Sequence, residues 1–369
     1  MKESIKSIFN PLKIGRYIAK NRIFMAPMSR YRAIEGGINP EMTIEYYRQR
    51  ATAGVIMAES TQINKGSGGI NCPGIYNENQ AASWKKVTEA VHKEGGLIFL
   101  QLWHSGRAAH KSILPEGCEV VAPSSIASTE KVMTYEGMQT PTLPRELTLK
   151  EIKQLRQDYA EANQFALQAD FDGVEIHSAG GFLIDTFLQE ETNHRTDEYG
   201  GSLENRFRFL GEILDDAVSI WGSDRVGVKL SPVSAYNDMG KGDVLTTFKY
   251  VIDQLNKYQL AFLEVNESMP FSNLSESQKA TIEELQSLYQ GVYIANGNYT
   301  AESGAKRIEN GKATAISYGR FYIANPDLVA RFKQNAPLNE LNVDLFYGGD
   351  HTGYTDYPFL EETITTISK

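Results

Sequence analysis

The sequence predicts an α/β protein of the (β/α)₈ (TIM) barrel type, and three observations carry that prediction. Eight short runs rich in Val, Ile, Leu or Phe recur along the chain, most of them separated by amphipathic stretches. The runs are apolar and do not alternate, as expected of parallel strands covered on both faces. A doubly wound sheet, the competing architecture, wants G-x-G-x-x-G directly after a strand, and Gly66-Ser67-Gly68-Gly69-Ile70-Asn71 lacks that spacing.

The expected strands are residues 22–26, 54–58, 97–102, 173–177, 226–230, 261–265, 291–295 and 313–317. Helical patterns between them include residues 41–52, 79–94, 149–169, 203–220 and 301–310. Thr148 ahead of Leu149-Lys150-Glu151 reads as a capping box, and Ser202 ahead of Leu203-Glu204-Asn205 as a second N-cap. Gly95 and Gly311 stand where helix C-termini need a left-handed residue. One connection is too long for a simple turn. Residues 104–148 hold scattered prolines and a β-like stretch near residues 119–121, so they are expected to cap the active site within a single 1–369 barrel domain.

Composition narrows the function classes. With 369 residues, 41% hydrophobic and 22% charged, the chain can bury a large core without disulfides or a structural metal. Cys72 and Cys118 therefore read as reduced thiols of a cytoplasmic protein. A net charge of −9 argues against nucleic acid or an anionic membrane as partner, and no apolar run approaches the roughly 18 residues of a membrane span. Residues 1–20 have no continuous apolar core of a secretion signal.

In such barrels chemistry sits at the C-terminal ends of the strands. Those positions hold Pro27, Met28 and Ser29; Glu59 and Ser60; Gln101, Trp103 and His104; His177; Lys229 and Ser231; Glu264 and Asn266; Asn296, Gly297 and Asn298; and Gly319 and Arg320. The backbone amides of Gly297-Asn298 and Gly319-Arg320, with the Arg320 guanidinium beside them, suit a phosphate, although the same glycines would also close tight turns. His177 is either a hydrogen-bonded structural histidine or a site residue. No second His or carboxylate follows it at helical spacing, so metal hydrolysis is disfavoured and no metal site is assigned. The Gly-x-Ser-x-Gly elbow of serine hydrolases is missing.

Longer motifs are more specific. Asn21 to Tyr31 (NRIFMAPMSRY), Gln101 to Arg107 (QLWHSGR), Phe171 to His177 (FDGVEIH), Arg195 to Arg206 (RTDEYGGSLENR), Tyr318 to Leu328 (YGRFYIANPDL) and Gly353 to Pro358 (GYTDYP) follow one another in the chain. In these stretches the sequence resembles the old yellow enzyme family of flavin-dependent ene-reductases over nearly its whole length. The resemblance implies noncovalent FMN over the strand ends, reduced by NAD(P)H, with an electron-poor alkene or a quinone then entering the same pocket. It further implies that Pro27, Met28, Ser29, Ser60 and Gln101 contact the isoalloxazine and that Lys229 stands where the family has an arginine near the flavin. Lys keeps the charge there but loses the bidentate fork. It also implies Gly297, Asn298, Gly319 and Arg320 as the phosphate cradle, and Trp103 and Tyr347 as walls of the substrate pocket.

The segment after the fourth strand departs from the family pattern. Where the family has His-x-x-Asn or His-x-x-His and then Gly-Tyr, this chain reads His177-Ser178-Ala179-Gly180-Gly181-Phe182. His177 remains to polarise a carbonyl or nitro oxygen, Gly180 lacks the partner donor, and Phe182 lacks the acid that protonates the second alkene carbon. Three outcomes stay open: an ene-reductase protonated from elsewhere, a flavin-dependent alkene isomerase, or a quinone or flavin reductase with little enone turnover. Tyr199, Tyr236 and Tyr347 are spare phenols that the sequence does not place.

Overall fold

The computed structural model describes residues 2–268 and 273–360. Eight parallel strands close into a barrel: β1 (Ile23–Met25), β2 (Ile56–Gln62), β3 (Ile98–Trp103), β4 (Gly173–His177), β5 (Val226–Leu230), β6 (Phe262–Asn266), β7 (Tyr293–Asn296) and β8 (Ala315–Tyr318). Each strand pairs with the next, and β8 pairs back onto β1 through Ile316↔Ile23, Ser317↔Phe24 and Tyr318↔Met25. The predicted fold class is therefore the observed one.

The crossover helices are α1 (Glu41–Gln49), α2 (Glu78–Lys93), α3 (Leu149–Gln168), the one-turn-and-a-half α4 (Leu183–Leu188), α5 (Leu203–Trp221), α6 (Val244–Tyr258), α7 (Glu276–Leu288) and α8 (Ala301–Glu309). Two short helices, α9 (Arg320–Ala324) and α10 (Leu328–Gln334), follow β8. The Thr148–Glu151 capping box forms in both directions, and the Ser202 hydroxyl accepts the Asn205 N–H. Helix α1 stops three residues short of the expected end because Arg50 leaves the helical path. Its buried guanidinium donates to the carbonyls of Tyr46, Tyr322 and Ile323.

The barrel interior is layered. Its N-terminal half is apolar: Phe24, Met57, Phe99, Phe262, Ile294 and Ala315 pack with Leu12, Ile14 and Ala19 of an N-terminal hairpin (Leu12–Ile14 with Tyr17–Ala19). Gly173 and Gly227 make that plug possible, because a Cβ on either would lie 2.3 Å from the Phe99 ring or 2.1 Å from the Phe262 ring. The C-terminal half of the barrel is polar and carries the site.

Residues 104–148 hold a two-residue strand, Val121–Ala122, paired with Arg145–Glu146, and an antiparallel hairpin, Val132–Thr134 with Gly137–Gln139. The sequence reading located the first near residues 119–121 and did not foresee the second. Both cysteines are free thiols, and among the described residues no helix is long and apolar enough to cross a membrane.

Candidate active site

A cavity of about 630 Å³ opens at the C-terminal ends of the strands. Of the fifteen residues assigned to cofactor, substrate or catalysis, thirteen line it: Pro27, Met28, Ser29, Ser60, Trp103, His177, Phe182, Lys229, Gly297, Asn298, Gly319, Arg320 and Tyr347. The 68–72 loop and the hairpin residues Lys131, Val132, Met133 and Met138 complete the wall. Gln101 and Gly180 are outside the lining. Gln101 lies one layer down, accepting from Ser60 Oγ at 2.6 Å and donating to Glu175 Oε2 at 2.6 Å. Gly180 is set behind Phe182, in a left-handed backbone with φ of 67°.

Strand register explains this polar floor. A register shift in β2 between Ala58 and Thr61 falls at Glu59 and Ser60, and such a bulge re-aims side chains beside a site. His177 pairs across with Lys229, and Lys229 with Glu264, so three chemistry-bearing residues stand side by side on β4, β5 and β6. The Lys229 ammonium binds Glu264 Oε1 at 2.5 Å, both side chains being buried. Glu175, on the next layer of β4, is pushed well above the ordinary carboxylate range by burial and by the Glu264 charge. Its proton is therefore favoured, and the Lys229 ammonium is left paired with Glu264. The resemblance implies a positive charge at Lys229 but not its pairing with Glu264. The available signal was one charged residue inside each of three successive apolar strands, in GVEIH, VGVKL and FLEVN.

His177 is held neutral, its pKa driven well down by burial first and by the Lys229 charge second. A neutral imidazole donates one hydrogen bond without carrying a charge into the cavity. Its ring sits edge-on to Phe182 (centroids 5.0 Å, 82°), and Phe182 sits edge-on to Trp103 (5.3 Å, 86°). His177 Nδ1 and Trp103 Nε1 are buried and make no hydrogen bond to any described residue. Such unpaired buried groups cost free energy unless something else meets them. His104, also at a strand end, is turned away: it is fully buried, and its Nδ1 accepts the Gly106 N–H at 3.0 Å.

At the far end of the cavity, Gly297-Asn298 and Gly319-Arg320 come together. Arg320 donates to Asn298 Oδ1 at 2.9 Å, and the Asn298 N–H donates to Ser268 Oγ at 3.2 Å. A Cβ on Gly297 would lie 2.6 Å from Ser268 Oγ, and one on Gly319 would lie 3.4 Å from Met28 Sδ. The Gly297 turn therefore has no room for a side chain, whereas a Cβ at Gly319 would make only an ordinary contact. Of the spare phenols, Tyr236 and Tyr347 line the cavity, joined by Tyr31, whereas Tyr199 is removed from it and donates to Glu212 Oε2 at 3.0 Å. Among the described residues no group of three or more His, Cys, Asp or Glu could hold a metal ion.

A closed parallel barrel with a polar cavity at the C-terminal ends of its strands is the architecture of a (β/α)₈ barrel enzyme. The chain belongs to the NADH:flavin oxidoreductase / NADH oxidase family, the old yellow enzyme family, whose model matches residues 7–339. It is similar to 12-oxophytodienoate reductase 7 of Oryza sativa subsp. japonica, 40% identical over 96% of this chain and 94% of the relative. A probable flavin mononucleotide-dependent alkene reductase of Leishmania infantum is 40% identical over 97% of this chain and 99% of the relative. Among solved structures it is similar to morphinone reductase, with a TM-score of 0.92 and 38% identity over 96% of this chain and 97% of that one.

Proposed function

We propose that this chain is an FMN-dependent ene-reductase that takes reducing equivalents from NAD(P)H and passes them to an electron-poor alkene in the cavity described above. The observation that carries the reading is a cavity with a phosphate-type cradle at one end and unpaired buried donors, His177 and Trp103, at the other. The residues fit FMN. Gly297, Asn298, Gly319 and Arg320 would hold the phosphate; Pro27, Met28, Ser29, Ser60 and Lys229 would meet the ring; and Gln101 would act from beneath, fixing Ser60. FMN, when bound, supplies reversible two-electron hydride chemistry.

The chain's own part is to bind, orient and polarise. His177, kept neutral, donates to the substrate oxygen and stabilises the negative charge that develops there. Lys229 contributes positive charge below the cavity, tempered by Glu264. Trp103, Phe182 and Tyr347 shape the space above the floor. We take residues 1–369 as one FMN-binding barrel with 104–148 as its cap, and place it in the cytoplasm on composition and free thiols.

Phe182 and Gly180 favour a second reading as well: an alkene isomerase, or a quinone or flavin reductase, in which no protein acid need protonate carbon. The test is anaerobic. Enzyme reduced with NADPH is mixed with 2-cyclohexenone and its absorbance followed. Reoxidation well above the enone-free control is expected. Enzyme that stays reduced with enone but reoxidises with a quinone would replace the first reading by the second.

A further inference from the structure

With phenylalanine at 182, the second alkene carbon needs another acid, and we propose that Tyr236 supplies its proton. This inference rests on the ene-reductase reading above. Tyr236 stands on the loop after β5 and lines the cavity with His177 and Phe182. Its ring and that of Phe182 flank one point: a Cβ placed on Gly180 would lie 3.8 Å from Tyr236 Cδ1 and 3.4 Å from the Phe182 ring. Both rings therefore lie within ordinary contact distance of residue 180, on the same stretch of cavity wall. A phenol thus stands beside the residue that lost its own hydroxyl.

The loop is pinned from three sides. Arg107 Nη2 donates to the Asn237 carbonyl at 2.5 Å, and Asn237 Nδ2 donates to the Gly180 carbonyl at 2.8 Å, tying the Tyr236 loop to the altered loop after β4. Asp238 accepts from the Thr129 N–H at 2.6 Å and from the Thr129 hydroxyl at 2.8 Å, tying the loop to the cap. Asn237 and Asp238 both take left-handed backbone, with φ of 52° and 63°, which turns the chain sharply after Tyr236. These contacts fix the backbone that follows Tyr236, and the Tyr236 N–H is itself held by Ser234 Oγ at 3.2 Å, so the phenol is carried on an ordered loop.

The Tyr236 hydroxyl makes no hydrogen bond to any described residue. Burial, with Tyr347 and Glu130 nearby, raises its pKa, so it carries its proton across the neutral range. At 40% exposure the residue still reaches solvent, which can return the proton after turnover. The other cavity phenols are less well placed. Tyr31 and Tyr347 lie tilted against each other (4.9 Å, 31°), each occupied by the other's ring, and neither comes as near as Phe182 and Tyr236 to a Cβ placed on Gly180.

The step balances. One alkene carbon receives hydride, with its electron pair, from the cofactor that NAD(P)H has reduced. The displaced π pair forms the new C–H bond at the other carbon as the Tyr236 O–H bond breaks, leaving that bond's electrons on the phenolate, which solvent reprotonates.

The experiment is an anaerobic stopped-flow comparison of NADPH-reduced holoenzymes. Tyr236→Phe should slow reoxidation by 2-cyclohexenone about 10²–10⁴-fold, the usual worth of a placed acid. It should leave FMN content, the visible spectrum, and reoxidation by menadione within about twofold of wild type, because a quinone needs no proton on carbon. Adding Phe182→Tyr to Tyr236→Phe should restore enone reoxidation. In D₂O, wild type should place deuterium on one face of the second carbon, and Tyr236→Phe should lose that preference. Unchanged enone rates in Tyr236→Phe, or equal losses with enone and menadione, would overturn the assignment. Wild-type enzyme that ignores the enone but reacts with menadione would overturn the ene-reductase reading itself, and this assignment with it.

Discussion

Gly180 and Gly181 show how much a single Cβ decides. Both take left-handed backbone, with φ of 67° and 70°. A Cβ on Gly181 would lie 2.6 Å from Asn237 Cβ and 2.8 Å from Met239 Cγ, so that glycine is demanded by packing as well as by φ. At Gly180 the nearest atom would be the Phe182 ring at 3.4 Å, an ordinary contact. Asparagine tolerates left-handed backbone better than other residues with a Cβ. Gly180→Asn should therefore fold and hold FMN with a stability loss under about 1 kcal/mol, while Gly181→Ala should cost about 1–3 kcal/mol, read by thermal or urea unfolding. If His177 works better with a second donor, Gly180→Asn should also raise kcat/KM for cyclohexenone. An unchanged value in a folded variant would show that residue 180 no longer faces the substrate oxygen.

At the scale of elements, two of the motifs quoted from the sequence turn out to be fasteners. Arg195 donates to the carbonyls of Pro123 (3.0 Å) and Leu147 (2.6 Å) and pairs with Asp197 (2.6 Å), so one guanidinium clamps both arms of the 104–148 excursion. The segment that delivers Phe346 and Tyr347 to the cavity is held the same way. Arg30, buried directly after Ser29, donates to the carbonyls of Leu345, Phe346 and Gly353, and Arg32 donates to those of Leu345, Asp350 and Thr352. Tyr46 of α1 stacks on Tyr354 (4.1 Å, 7°), with Arg50 over the first ring and Arg32 over the second. Removing Arg30 leaves carbonyls that the partly solvated segment only partly repairs. Arg30→Ala should lose about 1–3 kcal/mol of stability and open residues 343–353 to limited proteolysis. Equal cleavage of wild type and variant there would show that the segment is held by something else.

Across the whole molecule, burial of titratable groups sets the pH dependence of stability. His104 is pushed down to about 3 by burial and His177 also goes well down. The unfolded chain binds protons on both near pH 6.5, and the folded protein refuses them. The His104 contribution is therefore present above pH 6.5 and is lost as pH falls toward about 3, by about 1.4 kcal/mol per pH unit, and His177 acts in the same direction. Glu59 and Asp185 run the other way, raised to about 7 and about 6 by burial, so their contribution holds at low pH and fades as pH rises through those values. Because His104 stands outside the cavity, His104→Asn isolates one term. The drop in urea-unfolding stability from pH 6.5 to 4.5 should be shallower in the variant than in wild type, and parallel curves would count against a neutral buried His104.

The sequence by itself determined the barrel and its strand ends. Uninterrupted apolar strands, helix caps such as Thr148–Glu151 and the order of the motifs are local properties, and local chemistry is what a sequence displays. Thirteen of the fifteen residues assigned to cofactor, substrate or catalysis line the cavity. The tertiary structure decided the pairings. That Lys229 neutralises Glu264, that Gln101 works beneath Ser60, and that Tyr236 shares a wall with Phe182 depend on barrel register and on loops meeting across 35 to 57 residues of chain. Side chains so far apart in sequence leave no spacing rule to read. They meet only because eight strands close on themselves and bring every strand end to one face.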